Sequence, residues 1–477
     1  MGTLNVALGL YGVWVHDVRS SHRSGSPIDQ LFALRGGAQD ELRPLRPAEN
    51  HELAPESVWT FQMPKVRFGR GAVEELGFQF RDLDVAAGAT GLLVTDETLV
   101  ELGHVERVRE VLTDAGFTVD VYDDCEREPS VQAIDDAVTF VRDEQGDAGY
   151  DFYVGLGGGS VMDTAKAMRA IIANGGGPLD YIAEPTGAGE DVTEAGEPLV
   201  LLPTTAGTGS EISPLAILSV EEKQIKEGIS SHHVRADAAV LDPTLTTTLP
   251  PELTAKTAMD ALGHAIEGYT THDYDALLRP ADPADRPVYA GRTPVTEAFS
   301  ERAIRLLAGN VRTAVHNGDD LQARENMLQG ALFGAIAGLT AGATLCHAMA
   351  YPVGNRYHTY HGETIAVLTP ASTLGYNSAS DPERFAEIAR LLGVDTTGMS
   401  HREAADAAKD EYIQLQRDLN VLPTGLSELA GIEDDDLDWL AAQTVETQKR
   451  LLRTNPRPVT EADVRAIFAD ALHNWEN

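Results

Sequence analysis

Between residues 58 and 247 short apolar runs alternate with stretches of helical length, and after residue 247 those runs stop. The runs are GLLVTD, TVDVYDD, DFYVGLGGG, PLVLLPTT and DAAVLDP, each bounded by turn residues. Strands separated by helix-length segments imply parallel βαβ units. Beyond DPTLTTTLPPELTAK the pattern is helical, as in ENMLQGALFGAIAGLTAGATLCHAMA and PERFAEIARLLG. The expectation is an α/β half with a parallel sheet over 58–247 and an all-helical half over 248–477. Residues 1–57 mix Gly, Pro, Arg and Glu without a period and read as a poorly ordered extension. The Pro-rich stretch RPADPADRPVYAGRTP interrupts the helical half, as a lid or as a surface excursion.

An apolar fraction of 43% can fill substantial cores in a chain of 477 residues. Asp and Glu total 74 against 37 Lys and Arg, only seven of them Lys, for a formal charge of -37. Spread along the chain, that charge predicts a solvated carboxylate surface of the halophilic kind, with an ordinary acidic enzyme as the alternative. Such a surface repels nucleic acid. Cys125 and Cys346 form neither a disulfide framework nor a CxxC pair. The apolar stretch near the N-terminus has no basic region before it, and no run nears the roughly twenty apolar residues of a spanning helix. A soluble cytoplasmic protein without membrane or nucleic-acid partners is expected.

Gly157, Gly158, Gly159 and Ser160 stand between a buried strand and a helix. Backbone without side chains admits a phosphate closely, and a helix start offers free N–H groups. A tightly packed loop is the alternative. GLGGGS lacks the G-x-G-x-x-G spacing, and no acidic residue ends a strand about twenty positions later. Upstream, Asp96 ends GLLVTD; a carboxylate there could accept from a ribose 2′-hydroxyl and repel a 2′-phosphate, favouring NAD over NADP. Read alone, Asp96 is better explained as a turn or helix cap. In LLPTTAGTGSE, Thr204, Thr205 and Thr208 could line a phosphate or the nicotinamide ribose, although an ordinary turn is the plainer explanation.

In TAKTAMDALGHAIEGYTT, Asp260 and His264 are four apart and share a helical face, where they can chelate a cation. A carboxylate bonded to a neighbouring imidazole explains the pair equally well. His347 and His361, on either side of YPVGNRYHTY, would complete one carboxylate and three imidazoles, a set suited to Fe(II) or Zn(II) with room for a substrate oxygen. His358 is left over and should face the cleft or solvent.

GGGSVMDTAK, PTTAGTGSE, MDALGHAIEGY and CHAMAYPVG…YHG occur in the order and approximate spacing of the iron-dependent, group III, alcohol dehydrogenases, and the resemblance covers about residues 59–475. It implies an NAD(P)-binding α/β domain like that of dehydroquinate synthase and a helical domain holding Fe(II), sometimes Zn(II), in the cleft between them. It also implies metal ligation by Asp260, His264, His347 and His361. Cofactor binding is implied for Asp96, Gly157, Gly158, Gly159, Ser160, Asp163, Thr204, Thr205, Thr208 and Lys226. Many members have a His four residues after the third ligand, proposed to move protons; this chain has Tyr351. With a reference pKa of about 10, it is expected to act as a hydrogen-bonding relay, unless proton release passes through cofactor hydroxyls and water. Tyr351 and the Pro-rich loop resemble the hydroxyacid-oxoacid transhydrogenase subgroup, which oxidises 4-hydroxybutyrate while reducing 2-oxoglutarate and keeps its nicotinamide cofactor bound. The expected activity is hydride transfer between a small alcohol or hydroxy acid and NAD. Transhydrogenation and a non-redox binding role are the alternatives. Arg292 and Arg356 are candidate receivers of a substrate carboxylate, and family habit implies a homo-oligomer.

Overall fold

The computed structural model describes residues 55–475 apart from 224, 284 and 285. The expected extension lies, through residue 54, outside the described residues. Eight strands follow in order: β1 Lys65–Phe68, β2 Thr90–Val94, β3 Thr118–Tyr122, β4 Phe152–Gly157, β5 Leu199–Pro203, β6 Leu215–Val220, β7 Ile225–Ser230 and β8 Ala238–Leu241. Six form one parallel sheet in the order β1-β8-β5-β4-β2-β3, while β6 and β7 form a separate antiparallel hairpin. The five apolar runs of the sequence are β2, β3, β4, β5 and β8. Their continuity has a cause: Leu92 and Tyr153 pack with helices Val131–Gln145 and Gly159–Asn174 on one face, and Leu93 and Val154 with Leu76–Arg81 and His104–Asp114 on the other.

Sheet order sets where a ligand can enter. From β2 the chain moves outward to β3, then returns to β4 on the other side of β2 and continues through β5 to β8. The reversal falls between β2 and β4, and crevices at such points, beyond the carboxyl ends of the strands, accept ligands. Asp96, Gly157–Ser160 and Thr204–Thr208 therefore follow the ends of three neighbouring strands, β2, β4 and β5.

No strand follows Leu241 among the described residues. The helix Pro251–Thr270, here called the ligand helix, packs against Pro294–His316, Leu321–Ala341 and His361–Leu368. The crossing with Leu321–Ala341 is close because glycine meets backbone from both sides: a Cβ on Gly268 would lie 2.9 Å from the Gly338 nitrogen, and one on Gly338 2.7 Å from the His264 carbonyl. Alanine usually favours a helix interior over glycine by about 1 kcal/mol. Gly309, with open space at its Cβ position, should follow that rule. Gly338→Ala should instead lower stability by about 1–3 kcal/mol through overpacking, and thermal unfolding of the two variants should move in opposite directions.

The described chain begins by fastening the Pro-rich stretch. Pro55 bridges Leu278, the Glu56 N–H donates to the Leu277 carbonyl at 2.8 Å, and the Glu56 carboxylate accepts from Arg286 Nε at 3.0 Å. Tyr289, three residues beyond Arg286, is buried. Among the described residues no single helix is long and apolar enough to cross a membrane.

Candidate active site

Asp260, His264 and Glu267 fall at intervals of four and three along the ligand helix, so all three project from one face. His347 comes from the first turn of Leu345–Tyr357, and His361 starts His361–Leu368. Between these helices His358 takes the left-handed conformation at φ 54°, caps the first and is exposed, as a spare residue should be. Tight contact places His361: a Cβ on Gly362 would lie 2.1 Å from the Lys256 carbonyl of the ligand helix.

Asp260 Oδ1 is 3.6 Å from both His347 Nε2 and His361 Nε2, and 4.0 Å from His264 Nδ1. Ligand atoms on a tetrahedral ion stand roughly 3.4 Å apart, given metal–ligand bonds of about 2.0–2.2 Å. Asp260, His264 and His347 are each at most 5% exposed, and their facing atoms, Oδ1, Nδ1 and Nε2, have no hydrogen-bond partner. Buried orphans of this kind normally cost about 1–3 kcal/mol each. The three residues form a group able to hold a metal ion, and the donor set fits a divalent transition metal. His361 is more open, its side chain 34% exposed, which puts it toward the mouth of the site.

Glu267, absent from the sequence reading, organises this cluster from behind. Its Oε2 accepts from His347 Nδ1 at 2.5 Å and from the Thr344 N–H at 2.9 Å; its Oε1 accepts from the Cys346 N–H and the Thr344 hydroxyl, both at 2.7 Å. One carboxylate thereby caps the helix that carries His347 and holds its Nδ1–H, so that Nε2 is the ring atom turned to the cluster. Despite burial, His347 and Thr344 hold the Glu267 carboxyl down at about 2. The surrounding imidazoles likewise hold Asp260 well below the usual carboxylate range. Burial pushes His264 down to about 4 and His361 to about 3, so both are neutral near pH 7. Burial opposes charge on His347 too, but Glu267 and Asp260 outweigh it and raise its pKa to about 9.

The glycine turn and the threonine loop touch. The Thr204 N–H donates to the Gly157 carbonyl at 3.0 Å, and a Cβ on Gly159 would lie 2.8 Å from the Thr208 side chain. Gly158, at the N-cap of the 16-residue helix Gly159–Asn174, offers no side-chain cap, so the first N–H groups of that helix are available to an anion. Asp96 caps Glu97–Glu101 by accepting from the Leu99 N–H at 3.1 Å. The Ser160 hydroxyl donates to the Arg127 carbonyl. Asp163 is turned inward, accepting from the Ser210 hydroxyl at 2.6 Å and the Ile217 N–H at 3.1 Å, with Lys166 Nζ at 2.8 Å. It holds the threonine loop from behind. Lys226, on β7, pairs with Glu128 at 2.6 Å, and its charge helps to depress His361.

Tyr351 lies beside the cluster, its ring centroid 5.6 Å from that of His361. Burial pushes its phenol pKa up, so the hydroxyl stays protonated near neutral pH and serves as a donor. The two arginines considered as carboxylate receivers are engaged elsewhere. Arg292 donates to Asp273 and to the Tyr269 carbonyl, while Arg356 pairs with Asp436 and lies over the Trp439 ring.

The iron-containing alcohol dehydrogenase family model matches residues 64–243, and the model for the C-terminal part of the Fe-containing alcohol dehydrogenase family matches 288–472. Long-chain-alcohol dehydrogenase 1 of Geobacillus thermodenitrificans (strain NG80-2) is 36% identical over 410 residues, 86% of this chain and 95% of that protein. The mitochondrial hydroxyacid-oxoacid transhydrogenase of Xenopus tropicalis is 32% identical over 450 residues, 89% of this chain and 95% of that protein. Among solved structures, a 1,3-propanediol oxidoreductase superposes with a TM-score of 0.77 at 33% identity, covering 87% of this chain and all of its own. With both halves matched in order around one cluster, the chain belongs to the iron-containing alcohol dehydrogenase family and is an oxidoreductase.

Proposed function

We propose that the protein transfers hydride between the hydroxyl-bearing carbon of a small alcohol or hydroxy acid and NAD, using Fe(II), or Zn(II) in its place, held by Asp260, His264, His347 and His361. One observation carries this reading: three buried, unpartnered ligand atoms converge on one point. A cation there supplies Lewis acidity to a hydroxyl oxygen and lowers its pKa. The chain supplies placement. Glu267 fixes His347, the N–H groups at the start of Gly159–Asn174 receive the cofactor's pyrophosphate, and Thr204, Thr205 and Thr208 flank it. Tyr351 holds a proton at its hydroxyl and relays hydrogen bonds rather than acting as a base. Chelated protein should be inactive with NAD and a panel of alcohols, and added Fe(II) or Zn(II) should restore NADH absorbance. Full activity without cation would sink the reading.

The Asp96 carboxylate supports the preference for NAD. Asp96→Asn keeps a good helix cap and removes the charge. The ratio of kcat/KM with NADP to that with NAD should rise by about tenfold, equivalent to roughly 1.4 kcal/mol, with little change in thermal stability.

A second reading, transhydrogenation with retained cofactor, is favoured by Tyr351 and by relatives named for that activity. Oxidation of 4-hydroxybutyrate without added NAD, once 2-oxoglutarate is present, would establish it. The proposal also assigns the cofactor to a domain over 58–247 and the cation to one over 248–477. It places the protein in the cytoplasm as a homo-oligomer, a compartment that the free cysteines Cys125 and Cys346 support; sedimentation velocity would give the assembly's size.

A further inference from the structure

Tyr351 packs in one apolar cluster with Tyr289, from the Pro-rich stretch, and Leu451. Beside that cluster the Arg450 guanidinium lies 4.9 Å from the Tyr289 ring centroid, and its charge acts on the Tyr351 hydroxyl. Arg453, three residues on, adds a second positive charge that Arg450 opposes. Arg450 and Arg453 are both exposed, and Arg450 is hydrogen-bonded to the Tyr289 hydroxyl. Glu227 on β7 feels Arg450 but stands beyond ion-pair distance, and among the described residues neither guanidinium pairs with a carboxylate. Arg235, Arg324, Arg417 and Arg457 are likewise without a carboxylate partner among the described residues, but none of them neighbours Tyr351. Arg107, Arg169, Arg292, Arg312, Arg384 and Arg465 each hold a carboxylate.

Arg450, with Glu227 as its distant carboxylate and Arg453 as a like-charged neighbour, leaves positive charge on the Tyr351 side of the cation cluster. A planar guanidinium receives a carboxylate through two parallel hydrogen bonds. Resting on the hydride-transfer reading above, we propose that Arg450 is the specificity-determining residue, receiving a carboxylate carried by the substrate while the substrate's hydroxyl lies among the cation ligands. Arg453 strengthens the field there. The preferred substrate is then a short hydroxy acid rather than an unsubstituted alkanol.

Two measurements on the full chain decide this: kcat/KM for 4-hydroxybutyrate and for 1-butanol with cation and NAD, and calorimetric titration with butanoate, which needs no turnover. In Arg450→Gln the ratio of the two kcat/KM values should fall at least about 30-fold, mostly through KM for the acid. Arg450→Lys should recover part of it, and butanoate affinity should fall by a similar factor. Equal losses on both substrates, with butanoate binding unchanged, would reduce Arg450 to a packing role and overturn the proposal. If wild-type protein oxidises no alcohol of the panel with NAD, and does not oxidise 4-hydroxybutyrate with 2-oxoglutarate present, the hydride-transfer reading fails by itself. Butanoate titration then still discriminates, because unchanged binding in Arg450→Gln overturns the carboxylate site and lost binding supports it.

Discussion

His264→Ala is expected to abolish cation-dependent oxidation while leaving the protein folded. Four-ligand sites contribute about 10–16 kcal/mol of apparent binding energy, so one imidazole accounts for roughly 3 kcal/mol, a loss of about 100-fold or more in affinity. The structural cost is small. Alanine suits the middle of the ligand helix, and the substitution removes an Nδ1 that is buried without a partner. Metal-free wild type and variant should therefore differ by no more than about 2 kcal/mol in unfolding free energy. Turnover retained by a metal-stripped His264→Ala protein would show that the cluster is not the reaction centre.

Glu267 has a different failure mode, because its carboxylate serves a helix end and a ligand together. Glu267→Ala leaves the N–H groups of Thr344 and Cys346 and the His347 Nδ1 without their buried acceptor, and should cost about 3–5 kcal/mol of stability. Glu267→Gln preserves shape but not charge, and should weaken cation binding by about 10- to 100-fold. Proton release separates this effect from simple damage. In the wild type His347, raised to about 9 by the two carboxylates, carries a proton at pH 7 that a cation must displace from Nε2. Uptake should release about one proton, and apparent affinity should rise with pH up to about 9. With Gln at 267 the imidazole loses much of that elevation, so fewer protons should leave at pH 7. An unchanged proton count would refute the coupling between Glu267 and His347.

How much of this was legible depended on whether the signal was local. Buried parallel strands write themselves as unbroken apolar runs, which is why β2, β4, β5 and β8 could be read directly, whereas β3, TVDVY on the sheet edge, is legible from its alternation and β-branched residues. KVRF alternates charge on an edge and was passed over, and the β6–β7 hairpin lacks a turn dipeptide that would mark it. Asp260 and His264 were readable because their spacing is one helical turn. Glu267 lies on the same face at positions 260, 264 and 267, yet a glutamate on a helix is so commonly solvated that its burial 1% exposed needed the fold to be seen. The resemblance ties Asp163 to the cofactor through its motif, and only the fold shows its oxygens accepting from Ser210 and the Ile217 N–H. The stripe Gly330, Gly334 and Gly338 was written at intervals of four, but only the crossing helix gives it meaning: Gly334 and Gly338 meet the backbone of Ala261 and His264. Arg450 is 89 residues beyond His361, and no spacing in the chain links it to Tyr289.

The hold of Glu56 on Arg286 has a practical side for anyone preparing this enzyme. A shortened gene starting at Val58 would encode every proposed cation ligand and cofactor loop, and would look complete on an alignment. It would nevertheless omit the carboxylate that anchors Arg286, and with it the restraint on the segment leading into Tyr289. On the proposed reading, such a preparation would keep its cation ligands while the segment that carries Tyr289 to Arg450 lost its restraint, so specificity constants are best taken from a clone that retains Pro55 and Glu56.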